Sequence, residues 1–118
     1  MESNETWLLM RIFISSTDKH KDGLLYEHIV FSAKESGIAG ATVNKGILGY
    51  GSSSVIHSYK FWEVTEKLPV VIEIIDEAAK LKAFYETIRP ILENMRYGCL
   101  VTTETVDVWL KKSGIKKN

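Results

Sequence analysis

The run Pro69-Val70-Val71-Ile72-Glu73-Ile74-Ile75 constrains the fold more than any other segment of the chain. It is rich in β-branched residues and only Glu73 interrupts it, which predicts an interior strand covered on both faces. Trp7 to Ser15 reads as a second strand, with Leu8, Met10, Ile12 and Ile14 on one face and Leu9, Arg11 and Phe13 on the other. Leu24 to Ser36 carries Leu25, Ile29, Val30 and Ala33 at helical spacing, and Gly37-Ile38 is a helix stop, the glycine turning left-handed and the isoleucine packing back.

Ala41 to Leu48 is a further strand, and Gly49 to Tyr59 is a loop. Asp76 is placed to cap a second helix, whose stripe runs through Leu81, Phe84, Tyr85, Ile88, Ile91, Leu92 and Met95. Pro90 lies inside that stripe and predicts a kink or split near Glu86. Leu100 to Thr102 and Val106 to Leu110 supply the last strand or a broken pair. The order βαββαβ predicts an α+β, ferredoxin-like sandwich: an antiparallel sheet with two helices on one face. Phe13, Val71 and Ile75 fall on the other face, which is too apolar to leave in water, and a second copy of the chain is the simplest cover. Arg11 and Glu73 share that face on neighbouring strands and read as a structural ion pair.

At 118 residues the chain makes one domain. We divide it into an N-terminal extension (1–6), a domain (7–112) and a basic tail (113–118). Formal charge is zero, but Lys111, Lys112, Lys116 and Lys117 crowd the end, leaving a mildly acidic body. A nucleic-acid binder would show a wider basic face, so none is expected. No stretch reaches the roughly 18 apolar residues that span a bilayer. The acidic start Met1-Glu2-Ser3-Asn4-Glu5 is unlike a secretory leader, and the single cysteine, Cys99, reads as a small core residue in a reducing compartment. The expectation is a cytoplasmic protein.

Most of the chain's eight glycines fall in one stretch, at Gly37, Gly40, Gly46, Gly49 and Gly51, followed by Ser52-Ser53-Ser54 and His57. Without a Cβ, such a loop lets backbone N–H groups close on an anion. Lys45 could add charge there, and Tyr50 could stack on a base. His57 reads first as a hydrogen-bonded surface histidine, with a pH sensor, a metal ligand or a ligand contact as the alternatives. Asp18 and Lys19 read as a solvated turn, and Trp62 as an anchor for a partner or a subunit seam. His20 and His28, eight residues apart, are not expected to converge with a third ligand at zinc spacing. The serines beside His57 are fragments of a hydrolase without an acidic orienter, so an enzyme is not expected.

Together, Gly40-Ala41-Thr42-Val43, Gly46-Ile47, Gly49-Tyr50-Gly51, Ile56-His57 and Leu68 to Asp76 resemble the PII-like family catalogued as domain of unknown function one-ninety. Asp18 and Leu25-Tyr26-Glu27 match as well, and the resemblance covers roughly residues 8–110. It implies a homotrimer with sheets packed inward, distantly similar to the PII signalling proteins, which bind adenine nucleotides between subunits and grip targets with the loop after the second strand. It assigns ligand binding to Thr42, Lys45, Gly46, Gly49, Tyr50, Gly51, His57 and Lys111. PII proteins carry a second glycine-rich, lysine-containing loop, where this chain has Arg96-Tyr97-Gly98-Cys99. Their last-strand arginines are matched only by Lys111 and Lys112. The resulting expectation is a regulatory or sensor protein taking a small anion or nucleotide, with an adenine nucleotide as the implied ligand and a membrane transporter or channel as the implied partner. The alternatives are a trimeric divalent-metal or ion-tolerance protein and a small hydrolase.

Overall fold

The computed structural model describes residues 5–50, 57–58 and 67–115. Its elements run β1 (Trp7–Ser15), β2 (Lys19–His20), β3 (Gly23–Leu24), α1 (Leu25–Glu35), β4 (Gly40–Lys45), β5 (Leu48–Gly49), β6 (His57–Ser58), β7 (Pro69–Glu77), α2 (Ala78–Glu93) and β8 (Leu100–Val106). The main sheet has the order β4-β7-β1-β8 and is antiparallel throughout. The short pairs β2–β3 and β5–β6 stand apart from it. This is the α+β architecture read from the residues, with β7 and β1 in the interior.

The alternation is visible in β7, where Val70, Ile72, Ile74 and Asp76 are buried and every other residue is half-buried. The covered face meets Leu25, Ile29 and Ala33 of α1 and Leu81, Phe84, Ile88 and Leu92 of α2. Fully burying a side chain such as Ile12, Ile72 or Leu81 contributes about 1.5–3 kcal/mol, so this one layer dominates the stability.

α1 ends as expected. Gly37 has φ +78°, its N–H donates to Lys34 O at 3.1 Å, and the Ile38 N–H donates to Ala33 O at 3.0 Å. This double closure satisfies two late carbonyls, and Ile38 packs on the core beside them.

Four details differ from the sequence expectation. Asp76 caps no helix: it is buried on β7, accepting from Ala39 N at 2.9 Å through Oδ2 and from Glu77 N at 2.6 Å through Oδ1. It therefore ties the turn before β4 to the end of β7, while the first N–H of α2, on Ala78, donates to Thr6 O at 2.8 Å. Pro90 does not split α2, which runs on to Glu93. The buried Ile88 and Leu92 flank the proline and hold that last turn against the sheet, outweighing a helix-breaking cost of about 3 kcal/mol. The last strand is unbroken from Leu100 to Val106 because β1 offers a partner at every position from Phe13 back to Trp7. It stops there because β1 does, and Val106 to Leu110 forms no second strand. The strand expected over Ala41 to Leu48 is interrupted after Lys45, where β7 begins and the long ladder runs out.

Candidate functional site

One end of the sheet gathers most of the residues singled out in the glycine-rich stretch. There β4 finishes at Lys45, β7 starts at Pro69, β1 finishes at Ser15 and β8 starts at Leu100. Gly46 turns out of β4 with its N–H on Pro69 O at 2.7 Å. A Cβ on Gly46 would lie 2.9 Å from Pro69 Cγ, and one on Gly49 would lie 3.1 Å from the same atom. These two glycines are thus set by close approach to a rigid ring. Gly49 then pairs with His57 as β5 meets β6, so the segment leaves and returns through a two-residue ladder. Ile47, Leu48 and Tyr50 are all strongly exposed apolar groups at this base. Gly51, Ser52, Ser53, Ser54 and Trp62 lie outside the described residues, and for His57 only the backbone pairing is described.

The strand ends are fastened beneath this base. The Ser16 N–H donates to Leu68 O at 2.8 Å, and the Leu68 N–H donates to the Ser16 hydroxyl at 3.0 Å. Asp18, buried rather than solvated as its turn position suggested, accepts from Ser15 N at 2.7 Å. Cys99 is half-buried nearby with Sγ 3.9 Å from Leu92 O; burial and the Asp18 charge push its thiol up, away from reactivity.

The structure adds a cluster that the sequence reading did not single out. Lys67 Nζ sits 3.5 Å from the centre of the Tyr97 ring, and Arg96 Cζ lies 5.2 Å from it. Neither cation has an ion pair among the described residues, whereas Arg11 and Arg89 both do. Lys67 leads into β7 and Tyr97 into β8, so the two cations and the aromatic ring lie at the same end of the sheet as the glycine base. The signal was present in Arg96-Tyr97-Gly98, but nothing in the primary structure places Lys67 against that loop.

Thr42 and Lys111 lie elsewhere. Thr42 is exposed in the middle of edge strand β4, opposite Glu73. Lys111 follows the far end of the opposite edge strand, β8. Lys45 pairs with Val70, which pairs with Ile14, while Val106 pairs with Trp7; seven residues of strand therefore separate the two ends, about 23 Å at the usual rise. Within one chain Lys111 and the glycine base do not share a site.

The helix-free face of the sheet bears the ion pair read from the sequence, enlarged. Arg11 Nε donates to Glu73 Oε2 at 3.0 Å, Arg11 Nη1 also bonds Glu104, and Asn44 Nδ2 donates to Glu73 Oε1 at 3.2 Å. The Glu104 and Glu73 carboxylates hold the Arg11 guanidinium above its usual range. Half-exposed apolar groups surround this network: Phe13 is 36% exposed and Leu100 57% exposed, with Leu9, Val71 and Ile75 only partly covered. Between the β2–β3 hairpin and α1, the His20 and His28 rings lie with their centres 4.3 Å apart. Burial, His20 and Lys21 push the His28 imidazole below its ordinary value. Among the described residues no group of three or more His, Cys, Asp or Glu is placed to hold a metal, and no helix is long and apolar enough to cross a membrane.

Comparison with known proteins agrees with this architecture. A UPF0166 protein of Aquifex aeolicus (strain VF5) is 39% identical over 100 residues, covering 85% of this chain and 90% of that one. The structure of CPII, a nitrogen regulatory PII-like protein from Thiomonas intermedia K12 bound to ADP, AMP and bicarbonate, superposes with a TM-score of 0.59 at 17% identity, covering 86% of this chain and 88% of that chain. The divalent ion tolerance protein CutA1 from Ehrlichia chaffeensis superposes with a TM-score of 0.54 at 16% identity, over 93% and 88% of the two chains. At such identities the two solved structures speak to the fold alone. With residues 7–108 matching the family described as an uncharacterized ACR, and with a PII-like arrangement of strands and helices beneath them, the chain belongs to the DUF190 family.

Proposed function

We propose that this protein is a non-enzymatic, cytoplasmic PII-like regulator that binds a small anion or nucleotide between subunits of a homotrimer. The observation that carries the reading is the convergence of Lys67 and Arg96 on Tyr97, at the same end of the sheet as the glycine base at Gly46 and Gly49. Two cations without carboxylate partners among the described residues attract a phosphate or carboxylate, and the exposed Tyr50 ring offers a stacking surface for a base. The resemblance of the fold to a protein bound to ADP, AMP and bicarbonate supports an adenine nucleotide as the ligand.

Two features support the trimer. The half-exposed apolar face around Phe13, Val71, Ile75 and Leu100 is suited to burial against copies of itself. Lys111 also reaches a site built on Gly46 and Gly49 only from a neighbouring copy, since within one chain they occupy opposite ends and edges of the sheet. In this reading Thr42, Lys45, Gly51 and His57 line one side of the cleft and Lys111 the other. Ligand binding orders the segment after Gly49 only insofar as it binds the ordered state better, and that state presents itself to a protein partner such as a transporter or channel.

Calorimetry with ADP, AMP and bicarbonate, together with light scattering, tests the proposal. A trimeric mass is expected, with binding that weakens at least tenfold in Lys67→Ala and Arg96→Ala. A monomer, or nucleotide affinity indifferent to both substitutions, would remove its basis. The likeness to CutA1 favours a second reading, divalent-ion binding at His57, which predicts metal-dependent stabilisation lost in His57→Ala.

A further inference from the structure

We propose that His20 and His28 form an open two-histidine seat for a divalent transition-metal ion of the Zn2+, Ni2+ or Co2+ type. The seat uses neither the glycine base nor His57, and the proposal stands whether or not the nucleotide reading holds. Its foundation is a contact that sequence spacing does not foretell. His20 closes the short strand β2, the chain turns back through Lys21 at φ +55°, and β3 leads straight into α1. This hairpin lays His20 against His28 in the second turn of the helix, with ring centres 4.3 Å apart and planes inclined by 44°. The base of the hairpin is held by the Leu25 N–H, which donates to Asp18 O at 2.8 Å, and by the Asp18 carboxylate on Ser15 N. The two rings are therefore presented by fastened backbone.

Neither ring forms an ion pair with a carboxylate among the described residues; the Ser32 hydroxyl lies 3.5 Å from His28 Nε2. Two imidazoles in contact gain little from each other, and each keeps a ring nitrogen able to act as a donor to a borderline-soft cation. A tetrahedral ion at about 2.0–2.1 Å from one nitrogen of each ring would set the ring centres about 5 Å apart. The pair needs to open by only about 1 Å, within reach of side-chain rotation, to accept it. No third His, Cys, Asp or Glu completes the set among the described residues, so water or a group from another molecule fills the remaining positions. Such a site exchanges its ion, unlike a closed structural zinc centre. Occupied, it pins the β2–β3 hairpin to α1 and so stiffens the turn whose Asp18 is bonded into the sheet end.

The test uses the full chain with metal salts alone. Zn2+ titration followed by histidine ring NMR should move the His20 and His28 resonances and leave those of His57 in place. Co2+ should give a visible absorption band, and saturating Zn2+ should raise the melting temperature by several degrees. His20→Gln and His28→Gln should each weaken Zn2+ binding at least tenfold, whereas His57→Gln should not. Unmoved His20 and His28 resonances, or metal affinity retained in both variants, would overturn the proposal. Loss of binding in His57→Gln alone would place the ion at the other histidine. If a variant fails to fold, the ring shifts of the unmodified chain decide the matter.

Discussion

Replacing Gly46 with alanine should destabilise the protein, and the size of the effect follows from one distance. The new methyl would stand 2.9 Å from Pro69 Cγ, closer than methyl groups pack, and 3.6 Å from Pro69 O. The obstacle is a proline ring fixed in the first position of β7, so no side-chain rotation relieves it. Overpacking of this kind costs about 1–3 kcal/mol. Stiffening of the unfolded chain returns about 0.4–1 kcal/mol, because Gly46 has no positive φ that alanine would strain. The net loss is about 0.5–2 kcal/mol. For 118 residues, an unfolding entropy of about 2.1 cal/mol/K per residue makes each kcal/mol worth about 4 °C. A fall in melting temperature of about 2–8 °C is expected by circular dichroism at fixed protein concentration. Gly49→Ala, with its methyl at 3.1 Å, should fall less, and Gly23→Ala, with nothing within 4 Å, should not fall at all. If Gly46→Ala melts with or above the parent chain, the glycine base is not the tight contact described above.

Asp76→Ala leaves the Ala39 and Glu77 N–H groups without their carboxylate acceptor, and should cost about 1–3 kcal/mol in chemical denaturation. His28, facing His20, Lys21 and Glu35, binds its proton less readily folded than unfolded. Its contribution to stability is therefore present above the unfolded value of 6.5 and is lost as pH falls through 6.5 toward the lower folded value, so the acid limb of a melting-temperature profile should flatten in His28→Gln. Phe13→Asp places a charge on the helix-free face and, if copies pack there as proposed, should reduce the mass seen by light scattering to that of a single chain, while circular dichroism stays unchanged.

Most of the fold was legible because it depends on periodicity. The alternation in Trp7 to Ser15, the apolar run from Pro69 and the stripe of α2 each name their buried face directly. What was misread depends on long-range partners. Asp76 looks like a cap from its local sequence, but one of its carboxylate oxygens is claimed by the N–H of Ala39, distant in the chain. Pro90 breaks a helix by local rules, yet Ile88 and Leu92 are buried deeply enough to hold the turn. The candidate site divides the same way. Gly46, Gly49 and Tyr50 stand out by composition, whereas Lys67 on Tyr97 and His20 on His28 arise from loops meeting in space.

Pro69 has a mechanical consequence. One inflexible ring serves as the bearing for both Gly46 and Gly49, and it is the residue across from Ser15 at the margin of the sheet. A pull or twist applied at Gly49 bears on this ring, which has no side-chain rotation to yield. It is handed to the backbone of β7 and from there to the Ser16–Leu68 clasp, so whatever moves Gly46 or Gly49 also levers the framework behind them.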